Sequence, residues 1–174
     1  MVLGGIVGLV FDASALIDIA DADPALLTAI AREIAPVIVP TPILAEVETL
    51  SETDCETLGL TLLEPSLAQL SEASTRRGRL SDEDHLCLVV ARDHGATVVT
   101  SDGALFEACG ASGVDVWRGL RPLIKLVELG RLDARAAIVT VRTIRAANSY
   151  ITVSVVRAFV VEIRTAARKA RRAR

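Results

Sequence analysis

Short apolar runs alternate with longer amphipathic stretches through the first two-thirds of the chain. The runs VGLVF, PVIVP and ATVVT are apolar throughout, which is typical of parallel strands covered on both faces. Helical periodicity fills the intervals between them. The pattern predicts strands at 6–11, 36–39, 58–62, 96–100 and 114–116, and helices at about 13–20 and at 24–33, 42–51, 66–76, 82–94 and 103–109. This alternation predicts an α/β fold, a three-layer α/β/α sandwich around a central parallel sheet.

Beyond Trp117 the strand pattern stops, and the sequence predicts two or three helices. Four apolar residues between 156 and 163 follow the spacing of one amphipathic helical face. The β-branched run 151–156 is also compatible with a strand, and we expect the Arg-rich end of the chain to fray. We therefore divide the chain into an α/β domain at 1–117 and a basic helical extension at 118–174, packed on that domain or following it.

Charge is distributed unevenly along the chain. Residues 1–117 carry 19 acidic and 5 basic side chains, whereas residues 118–174 carry 3 acidic and 14 basic ones. This asymmetry predicts an acidic body with a basic flank suited to a polyanion such as RNA, or to an acidic partner. The alternative is a solvated helix end whose cations complement the helix dipole. Trp117 and Tyr150 are too few to predict a base-stacking surface.

Composition and cysteine content narrow the class of protein. A hydrophobic content of 51% argues against a disordered chain. Three cysteines without a CxxC pair predict neither a disulfide framework nor a zinc site, and they favour a reducing compartment. The apolar N-terminal stretch lacks the features of a signal peptide, and Asp12 and Asp18 interrupt it before it could span a membrane. We therefore expect a cytoplasmic protein without membrane contact.

Acidic residues stand where predicted strands end and predicted helices begin. Asp12 directly follows the first strand, and Asp102 follows the strand ATVVT. Glu46 lies in the first turns of the helix predicted after the second strand, and Asp84 lies near the start of a later helix. In a parallel α/β sheet the carboxyl ends of the strands share one edge, where distant acids can meet. Each acid taken singly is also explained as a helix cap or a complement to the helix dipole.

Taken together, the four carboxylates predict a metal site. Like charges within a few ångströms cannot all ionise without a cation. Oxygen ligands without a His or Cys cluster favour Mg²⁺ or Mn²⁺. Such a site, with one metal ion or two, can activate water for displacement at a phosphodiester.

The stretches VFDASALIDI, PILAEV and LSDEDHLCLVVARDHGATVVTSD resemble the PIN-domain family of metal-dependent ribonucleases. The resemblance covers residues 6 to about 117. It implies a site of six residues: the metal-binding and catalytic acids Asp12, Glu46, Asp84 and Asp102, and the supporting hydroxyls of Ser14 and Thr100. Asp84 is preferred to its neighbour Asp82 because it lies seven residues before Ala91, as in the family pattern.

The resemblance implies an endoribonuclease that uses Mg²⁺ or Mn²⁺ to hydrolyse RNA. Membership of the VapC-type toxins would add a cognate antitoxin as partner and a homodimer as assembly. One alternative is a non-catalytic module that binds RNA or a protein partner through the basic segment, while the acids only cap helices. A HAD-like phosphohydrolase is a further alternative, disfavoured because Ser14 stands where that chemistry needs a second aspartate.

Overall fold

A single parallel sheet of five strands lies at the centre of the molecule. The computed structural model describes residues 7–75 and 78–172. The strands are Leu9–Phe11 (β1), Val37–Pro40 (β2), Thr61–Leu63 (β3), Thr97–Thr100 (β4) and Val116–Arg118 (β5). Their order in the sheet is β3-β2-β1-β4-β5, and every neighbouring pair is parallel.

Ten helices connect and follow these strands in the described part of the chain. They are Ala13–Ala22 (α1), Ala25–Glu33 (α2), Thr41–Leu44 (α3), Glu52–Leu58 (α4), Leu67–Ala73 (α5), Asp82–His94 (α6), Gly103–Ala111 (α7), Arg121–Glu128 (α8), Ala134–Ala147 (α9) and Val153–Arg172 (α10). None of these described helices has the length and apolar character needed to cross a membrane.

The two faces of the sheet are covered by separate hydrophobic cores. Successive side chains leave a strand on opposite faces, so Leu9 and Phe11 enter one core while Val10 between them enters the other. The larger core includes α1, α2, α8, α9 and α10, and the smaller one includes α6 and α7. The predicted three-layer α/β/α sandwich is confirmed.

The helix predicted at 42–51 is wrong. The short α3 ends at Leu44, and the chain turns before α4 begins at Glu52. Ser51 starts this new helix: its hydroxyl accepts the amide hydrogen of Asp54 at 3.1 Å, and the Asp54 carboxylate accepts that of Ser51 at 2.9 Å. Such a reciprocal capping box fixes a helix start. The strand predicted at 58–62 begins later for the same reason, since α4 continues until Gly59 ends it at a φ of 74°.

The helices after β5 complete the larger core. The β-branched run 151–156 does not form a strand; it follows a turn at 149–150 and contains the start of α10. The helix continues through the Arg-rich segment to Arg172, and the chain ends at 173–174 lie outside the described residues. Residues 6 and 76, the predicted limits of the first strand and of the helix at 66–76, also lie outside them. Phe159 and Ile163 of α10 are buried in the same core as β1.

This packing predicts that α10 is required for the stability of the sheet. Replacing Ile163, which is fully buried, with alanine removes apolar contacts and leaves a cavity. We expect Ile163→Ala to lower the free energy of unfolding by about 2–5 kcal/mol in urea titrations. The matched control is Val161→Ala on the same helix, where the side chain is 64% exposed, and its effect should stay within about 0.5 kcal/mol. Equal effects of the two substitutions would contradict this account.

Candidate active site

The topology creates a crevice at the carboxyl ends of β1 and β4. From β1 the chain builds the sheet first towards β2 and β3, and then returns to add β4 and β5 on the other side. Ligands of open α/β sheets bind at such a switch point, outside the carboxyl ends of the strands. Asp12 directly follows β1, and Asp102 comes two residues after the end of β4. Both acids therefore lie at this crevice.

Asp12 is held in place by both neighbouring elements. Its side chain is almost completely buried, and Oδ1 accepts the amide hydrogen of Ala15, which caps α1, at 2.7 Å. Oδ2 accepts a hydrogen bond from the hydroxyl of Thr100, at the end of β4. The same hydroxyl oxygen accepts the amide hydrogen of Asp102 at 2.9 Å. Thr100 thus joins the two strand ends that carry the acids.

Asp102 and Asp84 lie at the starts of helices that face the crevice. The Asp102 side chain caps α7 by accepting the amide hydrogen of Leu105 at 2.8 Å. Helix α6 is capped by Ser81, whose hydroxyl accepts the amide hydrogen of Asp84 at 3.0 Å. Asp84 is partly buried, whereas Asp82 is exposed.

The charges of neighbouring acids raise the pKa values of Asp12 and Asp84. The pKa of Asp12 is raised to about 6, mainly by burial and to a smaller extent by the charges of Asp84 and Asp102, although the hydrogen bonds from Thr100 and Ala15 lower it. Burial also raises the pKa of Asp84, followed by the charge of Asp102. The fold therefore brings Asp12, Asp84 and Asp102 within electrostatic reach of one another across more than 70 residues of sequence.

Glu46 reaches the same group from a turn and not from a helix, which corrects its predicted setting. The chain turns after α3, with the Glu46 amide donating to the Ile43 carbonyl at 3.1 Å. Burial raises the pKa of Glu46, and the charges of Glu83 and Asp84 raise it further. Glu83 is a further acid of this group, since its charge raises the pKa values of Glu46 and Asp84. The sequence analysis did not predict it as a site residue, and only its position beside Asp84 pointed to it.

Of the two hydroxyls named from the sequence, only Thr100 contacts an acid of the site. Ser14 is exposed on the first turn of α1 and lines a separate cavity of about 360 Å³. That cavity also contains Asp18, whose two carboxylate oxygens accept hydrogen bonds from the Asn148 amide at 2.9 and 3.2 Å. Burial raises the pKa of Asp18.

Carboxylates are the side chains available to bind a cation at the crevice. Among the residues that the structure describes, no group of three or more His, Cys, Asp or Glu side chains is placed to hold a metal ion. The acids are thus electrostatically coupled without forming a closed ligand cage. Cys87 lies beneath them, with its thiol directed at the Phe11 carbonyl at 3.8 Å, and burial raises the pKa of this thiol.

The raised pKa of Asp12 predicts that stability depends on pH. Its pKa is about 6 in the folded chain, against an ordinary value of 3.8. As the pH rises, the unfolded chain releases this proton first, so stability falls between about pH 4 and pH 6 and remains lower above that window. The full cost is about 3 kcal/mol. We expect Asp12→Asn to raise the free energy of unfolding by up to that amount at about pH 7.5.

The measurement is urea unfolding of both proteins in EDTA, at about pH 7.5 and about pH 4. At the lower pH Asp12 is protonated in the folded chain and close to half protonated in the unfolded chain, where its pKa is the ordinary 3.8, so most of the advantage of the asparagine should disappear. A difference between the proteins that does not change with pH would contradict the argument.

Comparison with known proteins gives a structural likeness. No protein-family model matches the chain, and a search of curated proteins gives no match. Among solved structures, the chain is similar to a PilT N-terminus domain protein from the hyperthermophilic archaeon Sulfolobus solfataricus, with a TM-score of 0.53 and 14% sequence identity. The match covers 68% of this chain and 92% of the archaeal one. This likeness shows that the chain has the fold of PilT N-terminus, or PIN, domains.

Proposed function

We propose that this protein is a metal-dependent endoribonuclease that hydrolyses RNA phosphodiester bonds. The observation that carries the proposal is the electrostatic coupling of Asp12, Asp84 and Asp102 at the switch point of a parallel sheet. Coupled, partly buried carboxylates at the ligand crevice of such a sheet are typical of a functional site and unusual for independent helix caps. The PIN-like fold supports the same reading.

The donor set suits Mg²⁺ or Mn²⁺. Magnesium usually keeps several waters and is held by one or two carboxylates together with substrate phosphates, so a closed cage of protein ligands is not required. Asp12, Asp84 and Asp102 would hold the ion, and Glu46 would complete the site directly or through a water. When bound, the ion supplies Lewis-acid stabilisation of the phosphate and lowers the pKa of a water.

The chain's own residues position the reacting groups. Thr100 and the Ala15 amide fix both oxygens of Asp12, so the direction of its remaining lone pairs is set before a ligand arrives. Asp102 is held by two hydrogen bonds: its backbone amide donates to the Thr100 hydroxyl, and its side chain accepts the amide hydrogen of Leu105 at the start of α7. Glu46, in an exposed turn, is open to solvent and suited to orient a water molecule.

Within this proposal the protein is the toxin of a toxin–antitoxin pair. The support is the sequence resemblance to the PIN-domain family, of which the VapC-type toxins are a subgroup, together with the charge asymmetry of the chain. A cognate antitoxin would cover the site, and the toxin would act as a homodimer in the cytoplasm. Expression of the wild-type protein should then arrest bacterial growth, and Asp12→Asn should relieve the arrest at equal protein level. Arrest by both proteins alike would oppose the toxin role.

We expect purified protein to cleave a mixed RNA pool with Mg²⁺ or Mn²⁺ and to be inactive in EDTA. Asp12→Asn, Asp84→Asn and Asp102→Asn should each lower the rate about 100-fold or more. Asp82→Asn is the matched control for Asp84→Asn, because Asp82 is the first residue of the same helix and its side chain is exposed. Cleavage that survives in the three variants would reveal a contaminating nuclease or a different site.

Metal binding should also appear without catalysis. A ligand present at about 100 times its Kd stabilises a folded protein by about 2.7 kcal/mol. Mg²⁺ or Mn²⁺ should therefore raise the Tm of the wild type and have little effect on Asp12→Asn. A folded wild type that neither shifts with metal nor cleaves RNA would favour the non-catalytic binding module.

A further inference from the structure

A second cavity, of about 520 Å³, opens beside the acids at the carboxyl edge of the sheet. Ser101, the residue before Asp102, lines it together with Trp117 and Arg118 of β5. The strand register pairs Thr100, which holds Asp12, with Arg118. Adjacent strands lie about 4.8 Å apart. The cavity therefore adjoins the site, and its volume is in the range of small-ligand pockets.

Aromatic rings and arginines are concentrated in this cavity. The chain has one Trp, one Tyr and three Phe residues, and four of these five line the wall: Phe106, Trp117, Tyr150 and Phe159. Arg118 places its guanidinium 3.8 Å from the centroid of the Phe106 ring, and Arg121 lies 6.0 Å from that of Trp117. Trp117 and Tyr150 alone are too few for a base-stacking surface, but folding places Phe106 and Phe159 in the same wall.

The charges of the wall favour an anion near Arg118. Among the described residues Arg118 forms no ion pair, whereas Arg121 is paired with Glu128 at 3.3 Å. Glu162 contributes one negative charge to the wall. The guanidinium of Arg118 is thus available for a phosphate while it lies over the Phe106 ring. Tyr150, 91% exposed at the rim, offers a further ring to an incoming ligand.

We infer that this cavity binds a nucleobase of single-stranded RNA, with Arg118 contacting the phosphate next to that base. Bases of unpaired strands stack on aromatic rings and guanidinium planes, and cations beside them bind the backbone. The inference rests on the proposed function, since the strand held here would be the one that crosses the acids. The cavity would thereby place the strand relative to Asp12 and Asp102.

Trp117 provides a direct probe because it is the only tryptophan of the chain. Titration with a short oligoadenylate RNA in EDTA should quench its fluorescence to saturation. Arg118→Ala and Tyr150→Ala should each weaken binding about tenfold, as expected when one stacking contact is lost. Arg142→Ala is the matched control, because Arg142 is an exposed arginine of α9 outside the cavity wall. Its affinity should change less than about twofold.

Salt dependence distinguishes a phosphate contact from a structural effect. For single strands each neutralised phosphate adds about 0.7 to the slope of log K against log salt. Arg118→Ala should lose that increment, whereas Arg118→Lys should keep it while binding more weakly, because lysine lacks the planar group. An oligodeoxyadenylate tested in parallel shows whether the site discriminates RNA from DNA; tighter binding of the DNA would overturn the assignment to RNA.

The cavity and the nuclease proposal fail in different ways. Absence of quenching, or equal titrations of Arg118→Ala and Arg142→Ala, would overturn the cavity assignment and leave a protein partner as its occupant. If that protein still cleaves RNA with metal, the nuclease proposal stands. Quenching with the expected variant effects in a protein that does not cleave would support the cavity and overturn the nuclease proposal. Circular dichroism of each variant confirms that it is folded.

Discussion

The hydrogen bonds of one hydroxyl hold the crevice together. Thr100 donates to the buried carboxylate of Asp12 and accepts the amide hydrogen of Asp102. This arrangement requires the pairing of Phe11 with Val99, which sets the ends of β1 and β4 side by side. A slip of one residue would turn every side chain of the strand to the opposite face. The geometry of the acids therefore depends on a strand register that the two hydrophobic cores enforce.

Capping and chemistry are compatible roles for these aspartates. Asp12 and Asp102 each cap a helix with one oxygen. A carboxylate has about four lone-pair sites, so a single capping bond leaves most of its capacity unused. The same bonds fix the carboxylate in space, which is what a ligand-binding group needs. Holding Asp12 at this position has a cost: burial and neighbouring charges disfavour its ionised form and raise its pKa.

Local sequence signals predicted the parts of the molecule that local interactions determine. Helix α6 was predicted with its observed limits because Ser81 caps its start and Gly95 ends it in the left-handed region. The apolar pattern continues past Leu44 and so predicts a helix that includes Glu46, whereas the cap at Ser51 starts a separate helix.

Features that depend on residues far apart in the sequence are harder to predict from it. The approach of Asp84 to Asp12 followed from the general geometry of parallel sheets, and the acids are coupled in the structure. By contrast, Phe106, Trp117 and Tyr150 come from a helix, a strand and a loop, and no periodicity relates them. Their convergence required the position of α10, which the apolar pattern alone does not fix.

The burial of α10 against the β1 side of the sheet has a consequence for synthesis of the chain. Residues near 10 and near 160 share one core, so this core cannot close until synthesis of the chain has passed α10. Contacts of such long sequence separation also slow folding. The cavity beside the crevice, whose wall includes Phe159 of α10, would therefore acquire its final shape only after α10 has left the ribosome.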